Sequence, residues 1–266
     1  MITDILTAVA VVAAVGIICA VLLALASHFM SVKSDERVGS IRECLPGANC
    51  GACGYTGCDS YAKAIVEEGA KTNLCVPGAT AVAEKVAAIL GVEADAVESR
   101  TAFVHCNGHN GAAEEKAIYE GIKSCKSECL IYGGSKACTY ACVGCGDCAS
   151  VCPKNAICVE DGVARINKKL CIGCGLCVKT CPKGIISLIP TDAKAIVICS
   201  NKEKGAVVRK ECTNGCIACK KCEKTCPSDA IHVENDLAVI DYGKCISCGK
   251  CAEVCPVGCI IFSKEK

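Results

Sequence analysis

The longest apolar run of the chain lies at its amino end, from Ile5 to Phe29, and contains only three polar residues. Such a run is long enough to cross a bilayer as one helix. The alternative is a cleaved signal peptide, because residues 24–26 resemble a cleavage site. Asp4, however, stands where a signal peptide carries Lys or Arg, and the run exceeds a usual signal sequence. We therefore predict a retained, single-pass membrane anchor.

Basic residues follow this run, at Lys33, Arg37 and Arg42. The positive-inside rule then places the bulk of the chain in the cytoplasm, which is also the reducing compartment that free thiolates require. We predict a polar tether over residues 31–43.

Short periodic segments follow the tether. Asp59 is expected to cap a helix over residues 61–66 that stops at Gly69. Further patterns predict a helix from Val82 to Leu90, a strand over residues 102–106 and a helix over residues 112–123.

Two hairpins are predicted from alternating residues around a two-residue turn. The first joins Ile157–Glu160 to Val163–Ile166 through Asp161 and Gly162. The second joins Ile231–Glu234 to Leu237–Ile240 through Asn235 and Asp236.

Cysteine content changes this picture, because 30 of the 266 residues are cysteine. Four runs share the spacing Cys-x2-Cys-x2-Cys-x3-Cys-Pro, which is the pattern of bacterial two-cluster ferredoxins. A zinc site usually takes two separated Cys-x2-Cys pairs, and disulfides between cysteines two residues apart are geometrically poor. In two-cluster ferredoxins three close thiolates hold one [4Fe-4S] cube and the fourth reaches across to the other. The predicted ligand sets are Cys142, Cys145, Cys148 with Cys181; Cys171, Cys174, Cys177 with Cys152; Cys216, Cys219, Cys222 with Cys255; and Cys245, Cys248, Cys251 with Cys226.

The two pairs of runs form an internal repeat with an offset of 74 residues, which takes Cys142 to Cys216. The same offset takes Cys125 to Cys199 and Cys138 to Cys212. Each copy is therefore expected to be one two-cluster module.

A fifth run, Cys50-x2-Cys53-x4-Cys58, is completed by a returning Cys75. Its interspersed glycines allow the backbone to approach an inorganic core. A structural zinc knuckle is the alternative on spacing alone, and the neighbouring ferredoxin runs favour a fifth cluster.

The other cysteines have no such spacing. Cys19, Cys44, Cys158 and Cys259 are expected to be structural, whereas Cys106, Cys125, Cys129 and Cys138 form a loose set that could hold a sixth cluster. Against that set, only Cys125 and Cys138 have mates at the 74-residue offset. We expect five clusters, or roughly 20 irons per chain.

No other redox cofactor or nucleic acid is indicated. The chain has a net charge of +1, no tryptophan, and no Gly-x-Gly-x-x-Gly, P-loop or Cys-x-x-Cys-His motif. We therefore expect a protein that passes electrons, with no catalytic residues of its own, to a partner that performs two-electron chemistry.

The order of membrane helix, Cys-x2-Cys-x4-Cys domain and ferredoxin repeats resembles the B subunit of the Rnf complex, the ion-translocating ferredoxin:NAD⁺ oxidoreductase. The most specific stretch is residues 45–55, followed by Cys58, Tyr61 and Cys75. The resemblance implies a [4Fe-4S] cluster on Cys50, Cys53, Cys58 and Cys75. It also implies reduced ferredoxin as donor, other Rnf subunits and the lipid bilayer as partners, and coupling to Na⁺ or H⁺ movement.

Two features depart from many members of that family. The second module makes this a longer type. Relatives often lack a cysteine at the position of Cys145, which makes Cys138 an alternate ligand; because Cys145 restores the regular spacing here, we favour Cys145.

We therefore predict an α+β chain with a single amino-terminal transmembrane helix, a small helical [4Fe-4S] domain and tandem bacterial-type ferredoxin modules. The predicted division is an anchor (1–30), a tether (31–43), the [4Fe-4S] domain (44–100), a connecting α/β segment (101–137), module 1 (138–190), a connector (191–211) and module 2 (212–266). An electron-feeding module for another membrane redox complex, or for a redox regulator, is the alternative function. Five basic residues are a candidate docking face for acidic ferredoxin, namely Arg209, Lys210, Lys220, Lys221 and Lys224. The alternative is an ordinary solvated surface, since Glu211 and Glu223 are interspersed among them.

Overall fold

A computed structural model describes residues 2–29, 35–94 and 99–263. The helices are α1 (Ile2–Phe29), α2 (Glu36–Cys44), α3 (Cys58–Glu67), α4 (Ala79–Leu90), α5 (Cys125–Cys129), α6 (Asp147–Ser150), α7 (Leu176–Thr180), α8 (Gly205–Glu211), α9 (Lys221–Thr225) and α10 (Lys250–Glu253). The strands are β1 (Arg100–Val104), β2 (Ile157–Glu160), β3 (Val163–Ile166), β4 (Ile186–Pro190), β5 (Ala195–Val197), β6 (Ile231–Glu234), β7 (Leu237–Ile240) and β8 (Ile260–Phe262). This mixture confirms the α+β class.

Helix α1 contains 28 residues and carries exposed apolar side chains, among them Leu23 at 71% exposure. Over the ranges that the structure describes, no helix meets the combined length and hydropathy required of a membrane span. Lys33, one of the residues used to orient the predicted anchor, lies outside the described residues.

Helices α2, α3 and α4 form a small domain around buried Ile41, Tyr61 and Val86. Residues 36–44 are helical and contribute Ile41 to this core, so they do not form the polar tether that we predicted. The predicted cap is also corrected, because α3 begins at Cys58 and Asp59 pairs with Arg42 instead, at 2.7 Å between Oδ1 and Nε. Helix α4 ends at Leu90 before a left-handed Gly91, as predicted.

Both predicted hairpins are present with the predicted bounds. Strand β2 pairs with β3 and β6 pairs with β7, both antiparallel. All four turn residues have positive φ, which Asn, Asp and Gly tolerate best and which matches the twist of the strands. Local turn chemistry therefore fixes these elements.

A second two-stranded sheet in each copy uses a strand from the preceding segment. Strand β1 pairs with β4, and β5 pairs with β8. Val104 opposes Ile186 in the first sheet and Val197 opposes Ile260 in the second. The first strands of the two copies are thus 93 residues apart, whereas the rest of the repeat is offset by 74. The first copy therefore contains an insertion after β1.

That insertion includes residues 112–123, which form no helix and correct our prediction. Their backbone bonds to distant parts of the chain instead. The Glu114 amide donates to the Glu211 carbonyl at 2.9 Å, and the Lys116 amide donates to the Ser135 carbonyl at 2.8 Å. Tertiary hydrogen bonds thus override helix propensity. The segment becomes a strap that joins the two modules.

Candidate iron–sulfur sites

The amino-terminal site consists of Cys50, Cys53, Cys58 and Cys75, which the structure brings together as predicted. Burial raises the pKa of Cys75, and the nearby Cys58, Cys50 and Cys53 thiols raise it further. Asn49 accepts a hydrogen bond from the Cys58 amide at 2.8 Å and so fixes the loop that carries the run. A protonated thiol in this position must lose its proton when it binds a metal.

Tyr61 connects α3 to the loop that returns Cys75. Its hydroxyl donates to the Lys71 carbonyl at 2.7 Å and accepts from the Leu74 amide at 3.2 Å. Burial raises the pKa of Tyr61 to about 12, so the hydroxyl keeps its proton. The side chain thereby places the residue immediately before Cys75.

The second site of module 1 consists of Cys171, Cys174 and Cys177 with Cys152, again the predicted set. Burial raises the pKa of Cys177 to about 11, with further contributions from the other three thiols. Backbone amides point at the sulfurs: Ala102 donates to Cys171 at 3.4 Å, and Ala156 donates to Cys152 at 3.3 Å.

The amino-terminal site adjoins this second site. Burial is the largest cause of the raised pKa of Cys174, and the nearby titratable Cys50 raises it further. Val76 also packs close to Gly173, since a Cβ at Gly173 would lie 3.2 Å from its Cγ1. The small domain therefore contacts module 1 next to a predicted cluster.

Module 2 brings together both of its predicted ligand sets. Burial raises the pKa of Cys222 to about 11, and nearby Cys216, Cys219 and Cys255 raise it further. The other four cysteines share one cavity of about 330 Å³ and are Cys226, Cys245, Cys248 and Cys251. As in module 1, a backbone amide next to the hairpin donates to one of these sulfurs: the Ala230 amide donates to Cys226 Sγ at 3.3 Å.

Cys259, which we expected to be only structural, lies against the first site of module 2. Its sulfur is 3.6 Å from that of Cys255. Hydrogen bonding with Cys259 lowers the pKa of both Cys216 and Cys255. Hydrogen bonds to ligand sulfurs are one determinant of cluster potential.

The first site of module 1 differs from its prediction in one residue. Cys142, Cys148 and Cys181 line a cavity of about 330 Å³, and the fourth cysteine on that cavity is Cys125. Cys145 does not line that cavity but lies beside it, because its thiol donates to Glu128 Oε2 at 3.2 Å and is also hydrogen-bonded to Cys125. Burial and that hydrogen bond raise the pKa of Cys145 to about 12.

Asp147 holds Cys125 in this position. Its Oδ2 accepts from the Ser124 hydroxyl at 2.9 Å and from the Lys126 amide at 3.2 Å. Burial raises the pKa of Asp147, but these bonds and one from the Cys125 amide outweigh it, so the pKa is lowered. No spacing rule points to Cys125, which precedes the run by 17 residues.

Cys138, the alternate to Cys145, does not lie at this site either. It lines a separate cavity together with Cys106, Cys199 and Cys212. Cys129, the last of the loose set, is near Cys125 and Cys181.

The donor chemistry of the five sites fits [4Fe-4S] clusters. Each offers cysteine thiols, and backbone amides donate to sulfurs in both modules. Among the side chains in the described ranges, no three of His, Cys, Asp or Glu are close enough to hold a single ion. A cube spaces its thiolates more widely than one ion does, because irons and sulfides lie between them.

Comparison with protein families supports this assignment. The family model for an Fe-S cluster matches residues 45–77. A model for a 4Fe-4S dicluster domain matches residues 141–185 and again 215–259, and a second dicluster model matches residues 170–231.

Three similar proteins cover most of the chain. The B subunit of the Na⁺-translocating ferredoxin:NAD⁺ oxidoreductase complex of Acetobacterium woodii is 42% identical over 98% of this chain and 78% of its own length. The B subunit of the proton-translocating ferredoxin:NAD⁺ oxidoreductase complex of Clostridium ljungdahlii is 44% identical over 85% of this chain and 81% of its own. The B subunit of the ion-translocating oxidoreductase complex of Methanosarcina acetivorans is 40% identical over 90% of this chain and 91% of its own.

Proposed function

Because the chain belongs to the family of B subunits of ion-translocating ferredoxin:NAD⁺ oxidoreductase complexes, we propose that it takes electrons from reduced ferredoxin and relays them to other subunits of such a complex. It is an iron–sulfur electron-transfer subunit, as its dicluster domains indicate. The proposed ligands are the five cysteine sets described above, with Cys125 and Cys145 as the candidates for one position.

The proximity of successive cysteine sites carries this proposal. Cys148 at the first site of module 1 is close to Cys177 at the second, and Cys174 at the second is close to Cys50 in the small domain. When bound, [4Fe-4S] clusters supply one-electron transfer without making or breaking bonds. The protein contributes closely spaced ligands, buried thiols and amide hydrogen bonds to the sulfurs.

A docking surface for ferredoxin is proposed on module 2 and on the end of the connector that precedes it. The five basic residues singled out from the sequence, at positions 209, 210, 220, 221 and 224, are all exposed. Cys219, directly before Lys220, is also exposed although it belongs to a predicted cluster site. An exposed ligand beside positive charge offers an acidic donor a short path to the site.

Membrane attachment is proposed through α1, with the remaining domains on the cytoplasmic side. The exposed side chains of this helix are apolar, as at Ile5, Ile17 and Leu23. Burying them in lipid would remove this surface from water. Proteolysis of intact cells that cuts beyond residue 31 only from outside would contradict this orientation.

The test of function is anaerobic purification from membranes, followed by identification of the co-purifying chains and a ferredoxin-dependent NAD⁺ reduction assay. In the same preparation, Lys220→Glu with Lys221→Glu should raise the KM for ferredoxin about tenfold at low salt and flatten its salt dependence. Lys63→Glu with Lys85→Glu, which changes the same charge on exposed positions of α3 and α4, is the matched control. Equal effects of the two pairs would rule out this docking surface. A preparation that contains zinc and no iron would refute the function itself.

A further inference from the structure

Four cysteines outside the five proposed cluster sites line one cavity between the two modules. They are Cys106, Cys138, Cys199 and Cys212, and the cavity, which is partly open to solvent, has a volume of about 340 Å³. The partly open cavities at two of the proposed cluster sites have volumes of about 330 Å³ each. Buried Ile198 and Val208 also line the inter-module cavity. It therefore matches those sites in size and in cysteine number.

The four cysteines come in two structurally equivalent pairs. Cys106 and Cys199 each lie two residues beyond the end of the equivalent strands β1 and β5. Cys106 Sγ accepts from the Cys142 amide at 3.3 Å, and Cys199 Sγ accepts from the Cys216 amide at 3.3 Å. Because Cys142 and Cys216 are themselves equivalent cluster ligands, each copy contributes this sulfur in the same way.

Cys138 and Cys212 form the other pair, at the 74-residue offset. Buried Asn201 donates to Cys138 Sγ through Nδ2 at 3.3 Å. A Cβ placed at Gly108 would lie 3.6 Å from Cys106 Sγ and 3.8 Å from Cys212 Sγ, so these two sulfurs face the same point. Sulfurs from both modules therefore converge.

A buried positive charge lies beside this cavity. Lys136 is 6% exposed, and its Nζ donates to the carbonyl of Gly108, which lines the cavity, at 2.8 Å. A cube held by four thiolates keeps a net negative charge, which a neighbouring ammonium stabilises.

We propose that Cys106, Cys138, Cys199 and Cys212 hold a sixth [4Fe-4S] cluster that connects the two ferredoxin modules. One electron would leave the cluster ligated by Cys216, where ferredoxin docks, arrive at the bridging cluster and then pass to the one ligated by Cys142; no bond forms or breaks. The hydrogen bonds from the Cys142 and Cys216 amides place a bridging ligand in contact with each neighbouring site. The inference rests on the proposed function, because it needs the modules to carry clusters.

The test compares Cys106→Ser with Cys199→Ser, made together, against the wild-type full-length chain purified anaerobically. Serine keeps an acceptor for the Cys142 and Cys216 amides, so the neighbouring sites should survive. We expect roughly 24 irons and 24 acid-labile sulfides in the wild type and roughly 20 of each in the variant. The EPR spin count of the reduced protein should fall by about one sixth. Cys158→Ser, at an exposed cysteine outside these cavities, should leave all three quantities unchanged.

Four results would overturn the bridging cluster. Roughly 20 irons in both proteins would show that the cavity is empty of iron, while the proposed function stands. One zinc per chain that disappears in the variant would identify a zinc site instead. Loss of eight or more irons would show that these cysteines only support neighbouring sites. Absence of iron from the wild type would refute the proposed function as well.

Discussion

Serine substitutions at Cys125 and Cys145 should identify the fourth ligand at the first site of module 1. Cys125 lines that cavity with Cys142, Cys148 and Cys181, whereas Cys145 is bonded to Glu128. We expect Cys125→Ser to remove about four irons per chain and Cys145→Ser to remove none. The regular spacing of the run predicts the opposite result.

The structure also indicates how well Cys145 could replace Cys125. To reach the site, Cys145 must give up its bond to the Glu128 carboxylate, which is 6% exposed and also accepts from the Ser135 amide at 3.0 Å. Hydrogen bonds to charged groups contribute about 1.5 kcal/mol or more. The lower limit applies here because a thiol S–H is a weak donor. That is roughly a tenfold weaker affinity. Any iron that the site in Cys125→Ser retains should therefore be held about tenfold more weakly than in the wild type.

The assay is iron and acid-labile sulfide per chain, with EPR spin counts, on anaerobically purified proteins. Cys158→Ser serves as the control, because Cys158 is exposed on β2. If Cys145→Ser loses about four irons and Cys125→Ser keeps them, the placement of Cys125 as ligand is refuted.

Three further substitutions test the supports of these sites. Tyr61→Phe leaves the Leu74 amide without its acceptor, so it should cost about 1–2 kcal/mol of unfolding free energy and speed iron loss to a chelator from the amino-terminal site; an unchanged time course would contradict this role. Lys136→Met removes charged hydrogen bonds to Gly108 and Gly162 and should cost about 3 kcal/mol or more in chemical denaturation, whereas exposed Lys154→Met should cost under about 0.5 kcal/mol. Gly144→Ala places a Cβ 2.7 Å from the Gly162 carbonyl oxygen at φ +87°, so it should deplete module 1 of iron. The control Gly184→Ala, at φ +61° with open space around it, should cost only about 1 kcal/mol of unfolding free energy. Equal iron contents in the two variants would show that the contact with Gly162 is harmless.

Elements with local causes were predictable from the sequence. The two hairpins match residue for residue because their turns need positive φ at Asp161, Gly162, Asn235 and Asp236. Cysteine spacing likewise predicted four groups of cysteines that the structure brings together, since each close triplet forms within one loop. The family resemblance is confirmed by relatives that cover most of the chain.

Elements with distant causes were not predictable in this way. Residues 112–123 have helical composition, but their amides bond to Ser135 and Glu211. The insertion after β1 also hid a repeat partner: a fixed offset of 74 pairs Cys199 with Cys125, whereas the strands pair it with Cys106. Cys125 is instead positioned by Asp147, through bonds that no spacing reveals.

The strap has a consequence for biosynthesis. Its residues Ala112 and Glu114 bond to Thr213 and Glu211, which leave the ribosome about a hundred residues later. Amino-terminal domains fold first during translation. Module 1 can therefore acquire its own clusters while the strap still lacks its partners, and only the emergence of residue 213 lets the nascent chain lock its two halves together.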